Sequence, residues 1–184
     1  LTGRLMRAPE AELRDPAGFV WRYALGWRSP QLEQQPLVLS PQVFGELVHE
    51  LIRRAIDALE PEPGVAKAST AEISAAIDGA VALVAGAWPL ERAVPPLLLW
   101  RHTLQEAAHF TSRALTVDDG VLADTRSWTE LPFGDDAAPA TPDYPWTATQ
   151  QIVIPGTDVR FRGRIDRVDL RPNGTAVRIT DYKT

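Results

Sequence analysis

The chain has 184 residues, a hydrophobic content of 45%, a charged content of 23% and a net charge of −5. That length and balance fit one globular domain able to bury a core. With no cysteine, disulfides, thiolate metal sites and iron–sulfur ligands are excluded in this chain, a usage that fits the cytoplasm. The negative charge argues against a general nucleic-acid binder, because non-specific affinity comes mostly from neutralising phosphates. No run of 18 apolar residues is seen, so no membrane span is expected. Sixteen prolines point to ordered loops. The start at Leu1 rather than methionine suggests an excised piece of something larger.

A helical lead-in is expected over residues 1–39. Asp15 and Pro16 supply a cap and first-turn proline for a helix over Ala17 to Leu25, stopped near Gly26. Ser40-Pro41 opens a strong helix in which Phe44, Leu47, Val48, Leu51, Ile52, Ala55 and Leu59 recur at a 3.6-residue period. His49 lies at the edge of that stripe, one turn after Gly45; alone, it is an ordinary helix histidine. Ser69 to Glu72 forms a capping box for an alanine-rich helix carrying Ile73, Ile77, Val81, Val84 and Ala85. Pro89, Pro95 and Pro96 mark the next break. Leu97 to Leu115 is a third helix with Leu98, Leu99, Leu104, Ala108 and Leu115 as core candidates. His102 and His109 share a face without a flanking carboxylate and read as surface residues. The helical part thus runs over 40–116.

The sheet is expected over 125–184. Thr125 to Phe133 reads as a strand with Glu130 on it. Gly134 to Pro145 reads as a surface loop. Gln150 to Ile154, closed by Pro155-Gly156, pairs with a strand from Val159 to Asp166. Asn173-Gly174 predicts a tight type I′ hairpin turn. Beyond it Val177, Ile179, Asp181 and Lys183 share one strand face, with Asp181 and Lys183 roughly 7 Å apart. They continue an apolar face and so are expected where a buried strand emerges. Asp166 approaches Asp181 if the hairpin or a bulge sets that register. Two carboxylates and an ammonium at strand ends suit a hard divalent cation and an attacking water. The chain holds only two lysines, Lys67 and Lys183, against seventeen arginines. Lysine is a compact donor whose pKa shifts, unlike the rigid, permanently charged arginine. The bland reading of this D-x-K pair is a solvated strand face.

Gly163-Arg-Ile-Asp166-Arg-Val-Asp169 followed by Ile179-Thr-Asp181-Tyr-Lys183-Thr resembles the core of the PD-(D/E)XK nucleases, in the RecB-like branch that includes the C-terminal domain of AddB-type helicase-nucleases. The resemblance implies an α/β fold of restriction-endonuclease type, with N-terminal helices followed by a small mixed β-sheet carrying the site, as a single domain over 1–184. It implies that Asp166, Asp181 and Lys183 are catalytic. Asp166 and Asp181 would hold Mg²⁺ or Mn²⁺, Lys183 orienting the attacking water or stabilising the developing oxyanion. Gly45 and His49 match the family's G-x-x-x-H, and Glu130 is the counterpart of its strand glutamate. His49, Glu130 and the main-chain carbonyl of Tyr182 would therefore complete the metal set. Arg160, Arg162, Arg164, Arg167 and Arg171 form either a DNA track or a solvated strand face.

In the same branch a Cys-Pro segment carries an iron–sulfur ligand. Asp15-Pro16 stands there instead, so no cluster is expected in this chain. The family domain continues past the position of Thr184 with a helix bearing glutamine and tyrosine. The implied function is metal-dependent DNA exonuclease activity within a RecB/AddB-like repair and recombination protein, with DNA and a helicase module or subunit as partners. The alternatives are a stand-alone or CRISPR-associated nuclease, and an inactive nuclease-fold domain that binds DNA or scaffolds a helicase.

Overall fold

A computed structural model describes residues 35–116, 124–134, 144–149 and 151–183, together with Val20. The chain divides into two units, Leu1–Gln34 and Gln35–Thr184, and the architecture below is that of the second. The helix expected over Ala17 to Leu25 with its Asp15 cap, and most of the loop expected from Gly134 to Pro145, lie outside the described residues.

Three helices come first: α1 (Pro41–Leu59), α2 (Thr70–Glu91) and α3 (Leu97–Thr116). Ser40 caps α1, its Oγ accepting from the Val43 amide at 3.3 Å, and Pro41 occupies the first turn, where no amide hydrogen is needed. The apolar stripe of α1 then goes inside: Leu47, Val48, Leu51, Ile52, Ala55, Ile56 and Leu59 are all buried. In α2 the capping box forms as the spacing requires. Ser69 Oγ accepts from the Glu72 amide at 3.3 Å, and the Glu72 carboxylate accepts from the Ser69 amide at 2.7 Å.

Two helix readings need correction. Pro89 does not break α2 but sits inside its last turn, and the helix runs on to Glu91. A proline so near the end removes only one ladder bond, and the Arg92 amide still closes onto the Trp88 carbonyl at 3.0 Å. In α3 the inward face is Trp100, Leu104, Ala107, Thr111 and Leu115, while Leu98 and Leu99 are exposed. Trp100 sets that rotation by stacking on Trp88, ring centroids 6.0 Å apart and planes 20° apart. By length and composition α2 is apolar enough to cross a membrane, although no such span was expected. In this fold it packs against α1 and α3 through Ile73, Ile77, Ala80, Val84 and Trp88.

The strands follow: β1 (Arg126–Phe133), β2 (Ile152–Val153), β3 (Arg160–Phe161), β4 (Gly163–Leu170) and β5 (Val177–Thr180). A three-stranded sheet has the order β1-β4-β5, and β2-β3 is a separate hairpin. Every described pairing is antiparallel, so the sheet is not mixed. The fold is α/β, helices followed by a small antiparallel sheet, with α1 lying against β1.

The β4–β5 connection is not a two-residue type I′ turn. Leu170 pairs with Val177, leaving six residues between the strands. Gly174 has a φ of 67°, but Asn173 is not in the left-handed region. Pro172 and Asn173 form the centre of a turn closed by the Gly174 amide on the Arg171 carbonyl at 2.8 Å. Asn173 contributes its side chain, whose Oδ1 accepts from the Thr175 amide and hydroxyl. Val177 and Ile179 are 57% and 62% exposed, so Asp181 and Lys183 do not emerge from a buried strand. β5 is an edge strand, and no described element covers that face.

Gly134 ends β1 with a φ of 63°, and a Cβ there would lie 2.6 Å from the Phe161 carbonyl oxygen. Backbone cannot swing away as a flexible side chain can. Gly134→Ala should therefore cost about 2 kcal/mol, lowering Tm by roughly 4–8 °C for a domain of this size. Gly156→Ala shares the positive φ but meets nothing within 4 Å and should cost less. Thermal melts of the two variants check the difference.

Candidate metal centre

Glu130 on β1 and Asp166 on β4 face each other across the sheet. Their neighbours pair on either side, Thr129 with Arg167 and Leu131 with Ile165, and the ladder is interrupted only between them. Glu130 has a φ of 53°, a region costly for a side chain with a Cβ. The departure has a visible use. Thr129 Oγ1 donates to Asp57 of α1 at 3.4 Å, and the Glu130 carboxylate meets His49 of the same helix. Two consecutive residues facing one helix break the alternation of a regular strand, and the backbone turn at Glu130 accomplishes this.

His49, Glu130 and Asp166 each offer a ligand atom, all within 4.8 Å of one another, and all three residues are half-buried. Tyr182, just past β5, ties two of them together through its main chain. Its amide donates to Asp166 Oδ2 at 2.9 Å, and its carbonyl accepts from His49 Nε2 at 3.2 Å. With the imidazole proton on Nε2, Nδ1 is left as a lone pair 3.9 Å from Asp166 Oδ2. A histidine whose far nitrogen is fixed by a carbonyl is the arrangement expected of a metal ligand. The Tyr182 carbonyl, which the resemblance assigns to the metal, accepts one hydrogen bond from His49 here, and a carbonyl oxygen has two lone pairs.

Asp181 and Lys183 flank Tyr182 and point to solvent, with side chains 64% and 85% exposed. They pair at 2.6 Å. The Lys183 ammonium holds the Asp181 carboxyl below its ordinary value, with a smaller contribution from Asp166, and Asp181 raises Lys183 in return. Asp181 is not one of the three converging ligands.

An open groove of about 830 Å³ runs from the triad along α1, lined among others by Gly45, His49, Arg53, Arg92, Glu130 and Asp166. Arg164 also borders it, 63% exposed, with its guanidinium 3.4 Å from Glu130 Oε2. Arg160 and Arg162 are exposed on and beside β3. Arg167 is not part of this surface. It is 4% exposed, its guanidinium donating to Asp169 at 2.7 Å, so it cannot belong to a DNA track. Sequence reasoning missed Arg53 and Arg92 because helix arginines among carboxylates look like a solvated face. Arg53 does bind Glu50 and Asp57, and Arg92 binds Glu46, yet Arg53, Glu50, Arg92 and Glu46 all line the groove.

Glu50 illustrates the electrostatics of that wall. Burial alone would raise its pKa, but Arg53 and Arg54 outweigh burial and bring it below 4.5. A depressed native pKa adds stability above the unfolded value, lost as pH falls through the native one. Urea melts of Glu50→Gln and wild type should therefore differ most near neutrality. The gap should close as the pH drops below about 4.5.

A profile of the PD-(D/E)XK nuclease superfamily matches residues 11–184. The chain belongs to the PD-(D/E)XK nuclease superfamily. Searches of curated proteins and of solved structures return no match. Membership supports a nuclease-type function, nucleases of this superfamily use divalent metals, and the helix-then-sheet architecture is consistent with the superfamily fold. Two carboxylate oxygens and an imidazole nitrogen suit such an ion, with the nitrogen favouring manganese over magnesium. The chain has no cysteine to hold an iron–sulfur cluster.

Proposed function

We propose that this chain is the nuclease domain of a RecB/AddB-like DNA repair and recombination protein, acting in the cytoplasm as a Mg²⁺- or Mn²⁺-dependent exonuclease beside a helicase module. The convergence of His49, Glu130 and Asp166 around the Tyr182 main chain carries this reading. His49, Glu130 and Asp166 hold the cation in it, and Asp181 approaches from the solvent side. A bound divalent cation supplies charge neutralisation at the phosphate and lowers the pKa of water. Lys183 presents an ammonium at the mouth of the site, where it orients the nucleophile or meets developing negative charge. The groove is lined by Arg53, Arg92 and Arg164 but also by Glu46, Glu50, Glu91, Glu130 and Asp166. Its arginines therefore offer single donors to a phosphate, with the exposed Arg160 and Arg162 beyond, and a bound cation would have to offset the acidic lining.

The reading is tested on linear and circular DNA, single- and double-stranded, incubated with the full-length protein in Mg²⁺, Mn²⁺ or EDTA. Degradation of linear DNA alone, lost in EDTA, is the expected result. Cutting of circles would replace the exonuclease with an endonuclease. Absence of cleavage in every metal, with and without ATP, would favour a DNA-binding or helicase-scaffolding domain.

A further inference from the structure

Beneath the site lies a polar cluster that the chemistry above does not use. Arg167, Asp169 and Ser127 are 4%, 1% and 3% exposed. Arg167 Nε donates to Asp169 Oδ1 at 2.7 Å, and Ser127 Oγ donates to the same oxygen at 2.6 Å. The two remaining arms of the guanidinium reach Ser127 Oγ and the Tyr182 hydroxyl, each at 3.4 Å. The Ser127 amide donates to Glu60 Oε1 at 3.1 Å, and Glu60 closes α1, the helix that carries His49. One buried guanidinium thus joins β1, β4, the end of α1 and the phenol of Tyr182.

Tyr182 needs such an anchor. The β4–β5 ladder ends at the pair Arg167 and Thr180, so among the described residues no strand pairing holds residue 182. Yet its amide and carbonyl are the groups that fix Asp166 and His49, and its ring stands edge-on to the imidazole at 6.0 Å. Burial of an ion pair is seldom a source of stability by itself, because desolvation offsets the attraction. What a planar fork of fixed donors provides is orientation. Burial works against the Arg167 charge, but the Asp169 carboxylate lies 2.7 Å from it and a guanidinium stays protonated in a protein.

We propose that Arg167 is a positioning residue, which, held by Asp169 and Ser127, grips the Tyr182 phenol and thereby sets the Tyr182 main chain against Asp166 and His49. The proposal rests on the metal-centre reading for its consequence, though not for its geometry. Tyr182→Phe keeps the ring and removes only the hydroxyl. Arg167→Lys keeps a charge for Asp169 but lacks the fork that reaches Tyr182 and Ser127.

Two measurements on the full chain decide the matter. Amide hydrogen exchange followed by NMR should show the residue-182 amide exchanging about tenfold faster in both variants, with the α1 amides unchanged. Mn²⁺ titration should show roughly tenfold weaker affinity, the size expected when an outer partner of a metal ligand is lost. Unchanged exchange at residue 182 in Tyr182→Phe would overturn the anchor. Faster exchange with wild-type Mn²⁺ affinity would overturn its role at the site. If the wild-type chain binds no Mn²⁺, the metal-centre reading fails, and the exchange data still decide the anchor.

Discussion

Asp166→Ala should lower metal-dependent DNA cleavage by about 10³-fold or more, because charge stabilisation by the cation supplies several kcal/mol of the barrier reduction. Asp166 is the residue on which the centre turns. It shares the ligand cluster with His49 and Glu130, and it also accepts the Tyr182 amide at 2.9 Å. In the metal-centre reading the substitution removes a ligand, and it also releases the main chain that fixes His49. The lost hydrogen bond should cost the fold only about 1 kcal/mol, since Asp166 is half-buried and lies outside the apolar core. Cleavage of linear DNA by the full-length protein, read beside circular dichroism of the variant, measures both effects. A folded Asp166→Ala protein that cuts at near wild-type rate would remove Asp166 from the chemistry.

Lys183→Ala should behave differently. Its side chain is 85% exposed and, among the described residues, its ammonium pairs with Asp181, so its loss should leave the fold and Mn²⁺ affinity close to wild type. The rate of cleavage should nevertheless fall about 10²-fold, the scale seen when one donor to a developing charge is removed. The ion pair with Asp181 is compatible with this role. Both groups are solvated, and an exposed pair is held only weakly, so Lys183 can exchange Asp181 for a phosphate oxygen. Single-turnover cleavage at saturating Mn²⁺ separates the rate from metal binding. A reduced Mn²⁺ affinity with an unchanged rate would assign Lys183 to holding Asp181 rather than to the reaction.

Much of this arrangement is legible in the residues. The Ser40-Pro41 and Ser69-to-Glu72 caps mark two helix starts because their hydrogen bonds are local. The 3.6 period of α1 likewise reports its buried face. Gly45-x-x-x-His49, Glu130 and Asp166 were each visible as separate residues, and the fold brings the last three within ligand distance. What the chain did not reveal depends on non-local contacts. Trp100, stacked on Trp88, rotates α3 away from the leucine face that spacing suggested. Asn173-Gly174 favours a two-residue turn, but Pro172 and the Asn173 side chain support a longer one. Arg167 follows Arg160, Arg162 and Arg164 closely and looks like part of a basic strip, although its odd spacing from Arg164 puts it on the other strand face with Asp169. Only the pairing of β4 with β1 shows that Ser127 and Asp169 stand opposite each other to receive it.

The central claim is that His49, Glu130 and Asp166 together hold one divalent cation. Its most direct test is calorimetric titration of Mn²⁺ into the wild-type protein and into His49→Ala, Glu130→Gln and Asp166→Asn. One binding site in the wild type, weakened at least about tenfold by each substitution, is the expected result. Equal Mn²⁺ binding by all four proteins, or none by the wild type, would contradict the claim.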